Sequence, residues 1–234
     1  QFQPSRNKIV FFTGAGMSAE SGVPTYRGRG GIWNEYKWEE YACESAFRSN
    51  PDLVLDFHEL RRIEALKCKP HNGHFIINEI EHVIKNTKII TQNIDGMHQR
   101  ANSKDVLELH GSLWKMRCQT ESTIYEDLDN GKYSSRYCDC GNILRPDIIW
   151  FQDMLKEDVV QNAIGLISSC DLFVSIGTSA VVYPAAGFPR LAKDSGAYCI
   201  EINPEKTELS HIFNEVIREK ASNGLGLLKK QIMD

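Results

Sequence analysis

Five short stretches of this chain carry residue types that bind nucleotides or move protons. They combine glycine or small residues with hydrogen-bonding side chains: Gly14-Ala15-Gly16, Gln92-Asn93-Ile94-Asp95, His110-Gly111, Gly177-Thr178-Ser179 and Asn203. Glycine lets a backbone approach a phosphate, amide and carboxylate groups bind sugar hydroxyls, and a neutral imidazole is a suitable base near pH 7. Together these residue types predict a nucleotide site with acid–base chemistry.

The first stretch matches a dinucleotide-binding pattern. Gly14, Gly16 and Ala19 have the spacing G-x-G-x-x-G/A. The apolar run Ile9–Phe12 before them predicts a strand, and the residues up to Glu20 predict the start of a helix. Strand, glycine turn and helix start is the order that places backbone N–H groups against a pyrophosphate. Taken alone, this pattern would suggest a dehydrogenase, and it is the only feature of the chain that supports hydride transfer.

The elements that would position these residues alternate along the chain. Buried parallel strands are predicted at Lys8–Thr13, Lys88–Thr91, Asp171–Ile176 and Ala197–Ile202, with a fifth strand at Asp105–Leu109. Helical patterns fall between them at Pro51–Leu66, Gly73–Lys85, Lys156–Ser168 and Ala185–Lys193. This alternation predicts an α/β fold with a Rossmann-like, doubly wound parallel sheet. Ligands of such sheets bind at the carboxyl ends of the strands, where the five stretches fall.

Two segments do not fit the alternation and are predicted to be insertions that form a smaller second lobe. One is rich in aromatic and acidic residues and then helical, and the other is polar, bears cysteines and resembles a zinc ribbon. We therefore predict a Rossmann-like dinucleotide-binding domain from residues 1–33, 86–113 and 146–234. The small lobe takes residues 34–85 and 114–145.

Composition restricts the classes of function. The chain has 234 residues, 41% hydrophobic and 25% charged, which is ordinary for a globular protein with a real core. The net charge of −4 gives no reason to expect a nucleic acid or an anionic membrane as a partner. No stretch predicts a membrane-spanning helix, and the N-terminus has no signal pattern. It begins at Gln1 and not at Met, which predicts a trimmed chain or a fragment.

Seven cysteines are spread over the chain, and an odd number of this kind is not a disulfide framework. We therefore expect a reducing compartment, and we predict a cytoplasmic location. We also expect a monomer. Cys170 and Cys199 lie in apolar segments and are predicted to be core residues. Only Cys118, Cys138 and Cys140 cluster along the sequence.

Several motifs in order closely resemble the sirtuins, the NAD-dependent protein-lysine deacylases. They are GAGMSAESGVP at 14–24, TQNIDGMH at 91–98 and LHG at 109–111, followed by Gly177-Thr178-Ser179 and Ile202-Asn203-Pro204. The resemblance runs from Lys8 to the C-terminus. It is closest to the bacterial and mitochondrial-like class, whose members often remove acidic acyl groups.

The resemblance implies NAD as cofactor and acyl-lysine proteins as substrates, with His110, Asn93 and Asp95 as catalytic residues. His110 would be the general base that activates the ribose hydroxyls, and the substrate's acyl oxygen would be the nucleophile. Taken without the motif, His110 reads as an ordinary strand-end histidine, and Asn93 and Asp95 as helix-capping residues. The implied NAD contacts are Gly14, Ala15, Gly16, Ser18, Ala19, Glu20, Thr25, Tyr26, Arg27, Trp33, Gln92, Asn93, Ile94, Asp95, His110, Gly177, Thr178, Ser179, Asn203, Glu205 and Ala221. Tyr26 stands where the family most often has Phe, and its ring would keep water from the reacting face.

The acyl pocket departs from the family pattern. Family members that remove succinyl or malonyl groups carry Tyr-x-x-Arg on the helix after the cofactor loop, and this chain has His58-Glu59-Leu60-Arg61. Arg61 is a natural bidentate partner for an acyl carboxylate. His58 would donate a hydrogen bond or, if protonated, add charge. The alternative is a surface helix with solvated charges.

The peptide and metal segments also depart from the family. Ile149, Trp150 and Phe151 resemble the segment that pairs with the substrate peptide, but Gln152 replaces a Gly and predicts a changed loop geometry. The family's small lobe usually holds zinc with two C-x-x-C pairs. Here Cys118, Cys138 and Cys140 remain, whereas Glu121 and Tyr137 stand where thiolates would be. Three thiolates with Glu121 or water would bind zinc; otherwise the loop is held by packing alone.

The sequence therefore predicts an NAD-dependent deacylase that yields nicotinamide, free lysine and O-acyl-ADP-ribose, with acetyl and succinyl or malonyl groups as substrates. Two alternatives stay open. One is an NAD glycohydrolase or ADP-ribosyltransferase on the same scaffold, in which water or a protein side chain replaces the acyl oxygen. The other is an NAD-sensing module without catalysis.

Overall fold

A computed structural model describes residues 7–27, 30–128, 130–179 and 181–233. The predicted start of the large domain at residue 1 lies outside these ranges. The strands are β1 Lys8–Thr13, β2 Asn86–Thr91, β3 Val106–Glu108, β4 Gly111–Arg117, β5 Ile124–Glu126, β6 Arg145–Ile148, β7 Leu172–Ile176, β8 Tyr198–Ile202 and β9 Glu215–Ile217. The α-helices are α1 Ala15–Ser18, α2 Trp38–Tyr41, α3 Glu44–Ser49, α4 Pro51–Lys67, α5 Asn72–Val83, α6 Met97–Arg100, α7 Glu157–Ser168, α8 Phe188–Asp194 and α9 Ala221–Met233.

Six strands form one parallel sheet in the order β3-β2-β1-β7-β8-β9. The order reverses between β1 and β7, and in doubly wound sheets the ligand crevice lies outside the strand ends at this reversal. The ends are level, because Thr13 pairs with both Thr91 and Ile176, and Ile176 pairs with Ile202. The parallel sheet confirms the predicted fold class, and each predicted strand is present with its ends shifted by two residues or fewer.

Helices cover both faces of this sheet, because β1 and β7 are apolar on both sides. On one face Ile9 and Phe11 pack with residues of α5 and α9, including Leu225. On the other face Val10 and Phe12 pack with residues of α7 and α8. Burying both faces accounts for the nearly continuous hydrophobic runs that predicted the strands.

Two predicted helices differ in detail from the structure. The helix that opens the glycine motif is a single turn, α1, followed by a 3₁₀ turn at Ala19–Ser21. The pattern at Ala185–Lys193 is a 3₁₀ turn, Ala185–Gly187, and then α8. Pro189 lies in the first turn of α8, where a proline fits because its missing N–H has no partner there.

The small lobe contains a three-stranded antiparallel sheet, β5-β4-β6, packed with α4 and the aromatic segment before it. Pro51 opens α4, and the Asn50 side chain accepts a hydrogen bond from the Leu53 N–H at 3.2 Å. This is a regular N-cap for a 17-residue helix. The helix then carries the sequence 58–61 along one wall of the site.

The structure moves the edges of the small lobe away from the predicted limits. Helix α5 lies inside the predicted range 34–85, yet Ile76, Ile77 and Ile80 pack into the core of the large sheet. We therefore end the first insertion before Asn72. The predicted limits 113/114 and 145/146 fall inside β4 and β6, since both strands extend toward the large domain. Among the described residues, no helix is both long and apolar enough to span a bilayer.

Candidate active site

The carboxyl ends of β1 and β7 approach each other so closely that only glycine fits. The Gly16 N–H donates to the Gly177 oxygen at 2.8 Å, and a Cβ on Gly16 would lie 2.6 Å from the Gly177 Cα. Gly177 itself has a φ of 60°, which favours glycine. Gly16 and Gly177 are therefore required for the two strand ends to approach each other at the point where the strand order reverses.

A cavity of about 1390 Å³ opens at these strand ends and runs between the large sheet and the small lobe. Every NAD and acyl-substrate residue predicted from the sequence lines it, from the glycine turn to Ala221 and from His58 to Phe151. The cysteine cluster does not line it. The predicted site residues are thus brought together in one space, whereas the predicted metal ligands lie apart from it.

His110 is held as a neutral imidazole. Its Nδ1 lies 2.9 Å from the Gln92 carbonyl oxygen, which can only accept, so Nδ1 carries the proton and Nε2 keeps a lone pair. Burial lowers the pKa of His110, with the Arg27 guanidinium adding to the shift and the Gln92 bond opposing it. The imidazole is therefore unprotonated at neutral pH and able to accept a proton.

Asn93 presents an oxygen to the cavity. Its Nδ2 donates to the Gly14 carbonyl oxygen at 2.8 Å and lies 3.2 Å from the Ser18 Oγ. Its N–H donates to the Thr91 hydroxyl at 3.1 Å. With both nitrogens occupied, the amide Oδ1 is the atom left for a ligand hydroxyl.

Asp95 is buried and bonded on both oxygens. The Ser18 hydroxyl donates to one oxygen at 2.6 Å and the Met97 N–H to the other at 2.9 Å. Burial raises the pKa of Asp95, and these hydrogen bonds act against the rise. The Trp114 Nε1 donates to the Asp95 backbone oxygen at 2.8 Å, which ties the strand end to β4 of the small lobe.

The loop after the glycine turn folds over the cavity. The Ile32 N–H donates to the Thr25 oxygen at 2.9 Å, and the Trp33 N–H donates to the Tyr26 oxygen at 3.0 Å. The Tyr26 and Trp33 rings lie 5.7 Å apart, and burial raises the pKa of Tyr26. Both rings line the cavity, and the role of Tyr26 as a cover that keeps water out stays a prediction.

Arg61 stands without an acidic partner at the other end of the cavity. Its guanidinium carbon lies 5.6 Å from the Phe57 ring and 5.8 Å from the Tyr36 ring. Its Nε is buried without a hydrogen bond, and no carboxylate of the described chain lies within ion-pair distance. A half-buried guanidinium without an acidic partner is able to form charged hydrogen bonds to an anion.

His58 does not supply the charge that the sequence allowed. It is 2% exposed, and burial, together with the positive charges of Arg145 and Arg61, lowers its pKa to about 3. Its Nε2 lies 3.1 Å from both the Trp150 Nε1 and the Tyr41 oxygen and can serve only one of them in a given tautomer. Of the two possibilities that the sequence left open, the structure favours a neutral ring, since a charge there would be desolvated beside two arginines.

The segment predicted to pair with a peptide leaves the end of β6 along the cavity. The Ile149 N–H donates to the His110 oxygen at 2.9 Å, and the Phe151 ring lies 4.6 Å from the Trp38 ring. Gln152 has a φ of 71°, in the left-handed region that favours the glycine usual in the family. Gln152 therefore adopts a backbone conformation that usually requires glycine.

Near Glu20 and Asn203, the polar side chains of the cavity wall form hydrogen bonds with the protein itself. Both Glu20 oxygens are bound by Ser222, from the N–H at 2.9 Å and from the hydroxyl at 2.6 Å. Burial would raise the Glu20 pKa, but the Ser222 hydrogen bonds outweigh it and lower the pKa. Asn203 donates to the Thr178 oxygen at 3.3 Å and accepts from the Glu205 N–H at 3.1 Å.

Four side chains of the small lobe form a compact donor cluster. The Sγ atoms of Cys118, Cys138 and Cys140 and a carboxylate oxygen of Glu121 lie within 4.8 Å of one another. The Cys118 and Cys140 sulfurs are 3.6 Å apart, close to the edge of a tetrahedral zinc–sulfur site. The Glu121 N–H and the Asn142 Nδ2 point at sulfurs from 3.4 and 3.2 Å, as partners of metal-bound thiolates do.

Sequence reasoning missed several parts of the cavity wall, among them residues 154–155, 182–184 and 206–208. The sequence also carried no signal for Arg62, which is fully buried with its Nη2 2.8 Å from an Asp127 carboxylate oxygen.

Comparison with known proteins fits this geometry. A sequence profile of the Sir2 family matches residues 14–184. A protein named NAD-dependent protein deacylase from Aquifex aeolicus (strain VF5) is 45% identical over 219 residues, which cover 93% of this chain and 92% of the relative.

Solved structures agree with the sequence matches. The crystal structure of a Sir2 homologue–NAD complex superposes with a TM-score of 0.87 at 38% identity, covering 97% of this chain and 89% of that one. A Sir2 histidine-to-alanine variant with a deacetylated p53 peptide and 3′-O-acetyl ADP-ribose gives a TM-score of 0.80 at 32% identity, covering 97% and 92%. With the family profile spanning most of the chain and relatives this similar along its length, the chain belongs to the Sir2 family, the sirtuins.

Proposed function

We infer that this chain is an NAD-dependent protein-lysine deacylase in which His110 is the general base. The observation that carries the inference is the tautomer of His110, fixed by the Gln92 carbonyl, at the wall of a cavity lined by the glycine turn. Relatives named NAD-dependent protein deacylase, at up to 45% identity over nearly the whole chain, support it.

The residues present fit NAD. The cavity, of about 1390 Å³, has room for a dinucleotide, and the glycine turn and Asn93 both line it. Bound NAD would supply the nicotinamide–ribose bond, which breaks as the acyl-lysine oxygen attacks. The chain's own part is to bind the ribose through Asn93, to accept a ribose hydroxyl proton at the His110 Nε2, and to exclude water with Tyr26 and Trp33.

Products separate this function from its rivals. With an acyl-lysine peptide and NAD, nicotinamide release should require the peptide. An NAD glycohydrolase would release nicotinamide without peptide, and an NAD-sensing module would release none. A His110→Tyr variant equal to wild type in these assays would refute the role of the base.

We propose further that acidic acyl chains are preferred, because Arg61 lacks an acidic partner and faces the cavity. A succinyl or malonyl carboxylate would pair with its guanidinium. A panel of acetyl-, malonyl-, succinyl- and longer acyl-lysine peptides tests this proposal. Higher kcat/KM on the acidic chains is expected, and equal turnover of acetyl- and succinyl-lysine would contradict it.

Zinc fits the cysteine cluster, with Glu121 as the fourth ligand beside three thiolates. A closed site of this kind would stabilise β4, β5 and the loop after them and take no part in catalysis. Metal analysis of protein purified without chelator should find one zinc per chain. Protein that folds and melts identically with and without zinc would indicate a loop held by packing alone.

Acyl-lysine proteins are the proposed partners, in line with the peptide held by the related Sir2 variant. The cytoplasmic location, the monomeric state and the lack of nucleic-acid binding stay predictions from composition. Size-exclusion chromatography with light scattering would test the monomer.

A further inference from the structure

An ion pair with a buried carboxylate lies behind residues 203–208 of the cavity wall. Glu201 is on β8, inside the large sheet, and is 3% exposed. Its Oε1 accepts from the Arg218 Nη1 at 2.7 Å, and that guanidinium is about one-third exposed. A carboxylate inside a sheet is unfavourable unless it is fully bonded, so its partners are held firmly.

The partners of this pair come from one segment of the cavity wall. The Thr207 hydroxyl donates to the Glu201 Oε2 at 2.7 Å, and the Ser210 hydroxyl donates to its Oε1 at 2.6 Å. Residues 203–208 line the cavity directly after β8, whereas Arg218 and Glu201 are not among its described lining residues. The pair thus fixes the wall from outside.

Arg218 also bonds the backbone of that segment. Its Nη1 lies 3.2 Å from the Asn203 oxygen and 3.0 Å from the Glu205 oxygen. Its Nη2 donates to the Ser210 hydroxyl at 2.9 Å. The Arg218 side chain therefore bonds two backbone carbonyls and a hydroxyl in addition to the Glu201 carboxylate.

We propose that Arg218 is a positioning residue that, through Glu201, shapes the wall of the cavity against the adenosine half of NAD. The proposal rests on the proposed function, because it takes the nucleotide to lie along residues 203–208. Without Arg218 the segment keeps its sequence but loses its fixed backbone. Affinity for adenosine-containing ligands then falls, while the chemistry at His110 is unchanged.

The test is calorimetric binding of ADP-ribose, with steady-state kinetics, to wild type and Arg218→Gln. We expect ADP-ribose to bind about tenfold more weakly and the KM for NAD to rise about tenfold, as for lost charged hydrogen bonds. The kcat at saturating NAD and the KM for the acyl peptide should stay within about twofold. Arg218→Lys keeps the positive charge but lacks the forked donors of a guanidinium. Its ADP-ribose affinity should therefore fall between those of wild type and Arg218→Gln.

A matched control is Arg136→Gln, because Arg136 is also partly exposed and paired with a carboxylate, Asp56, at 2.6 Å, but in the small lobe. It should leave ADP-ribose affinity unchanged. If Arg218→Gln does not fold, Thr207→Val removes one bond to Glu201 and should weaken ADP-ribose binding about threefold. Equal affinity of the folded Arg218 variants, or of Thr207→Val, and wild type would overturn the proposal. Wild type that binds no ADP-ribose would instead overturn the proposed function.

Discussion

Two adjacent arginines of α4 have different surroundings: Arg61 lines the cavity, and Arg62 is buried in an ion pair of the small lobe. Arg61 lies toward the cavity with its Nε unpaired, whereas Arg62 is fully buried, paired with Asp127 at 2.8 Å and 4.5 Å from the Tyr133 ring. Arg62 also donates to the Asn130 oxygen at 3.0 Å, so it ties the loop after β5 to the helix. The two side chains lie about 100° apart around the helix axis. Arg61 therefore lies at the cavity, and Arg62 lies inside the small lobe.

Charge alone therefore does not identify the functional residue. Both arginines have the same neighbours in sequence, and only their partners distinguish them. The Arg62 cation offsets the cost of burying the Asp127 carboxylate, and the ion pair thereby stabilises the small lobe. The unpaired cation has a cost that only a bound anion would offset.

Loss of the Arg62–Asp127 ion pair should change the free energy of unfolding more than any of the other substitutions. In Arg62→Met, Asp127 keeps its bonds from Ser134 and Asn130 but loses its cation, and we expect about 3 kcal/mol of lost stability. Urea unfolding measures it. The ratio of succinyl- to acetyl-lysine turnover should not change in protein that remains folded, and a changed ratio would contradict the division between the two arginines.

The same substitution at the neighbouring position should give the reverse result. Arg61→Met removes no ion pair, so stability should stay within about 0.5 kcal/mol of wild type. We expect kcat/KM for succinyl-lysine to fall about a hundredfold and that for acetyl-lysine to change little. Equal loss on both substrates would remove Arg61 from carboxylate recognition.

Buried histidines should make folding sensitive to acid. The folded-state pKa values of His58, His74 and His98 are lowered by burial to about 3, 2 and 3. The unfolded chain therefore binds more protons between pH 6 and 4, and stability should fall as pH falls below about 6.5. Each histidine would contribute about 1.4 kcal/mol per pH unit in this window.

His58→Gln checks this directly, because it removes one titrating ring beside Arg61. The slope of unfolding free energy against pH should decrease by about one proton relative to wild type. Succinyl-lysine turnover of the wild type should show no titration that depends on His58. An unchanged slope would mean that His58 is protonated in the folded chain.

The smallest expected effect concerns the loop at the peptide segment. Gln152→Gly relieves the positive φ of 71° and should raise stability by up to about 1 kcal/mol. Thermal melting measures the change, with Gln119→Gly on the exposed surface as a control that should not stabilise. A lower melting temperature for Gln152→Gly would show that the side chain compensates the strain.

Local pattern predicted the sheet and most of the cavity, because buried parallel strands leave long apolar runs and their ends share one edge. Gly14, Gly16 and Gly177 were recognised by spacing, but their close contact depends on strand order. The neutral state of His58 could not be predicted, since it follows from burial beside Trp150 and Arg145. Nor could the Arg218–Glu201 pair, because 17 residues and a strand pairing separate its members.

One measurement tests the deacylase assignment most directly. Mass spectrometry of the products from NAD and a succinyl-lysine peptide should find nicotinamide, free-lysine peptide and O-succinyl-ADP-ribose in equal amounts, with none formed by a folded His110→Tyr variant. Nicotinamide and plain ADP-ribose formed at the same rate without peptide, or equal product from the variant, would contradict it.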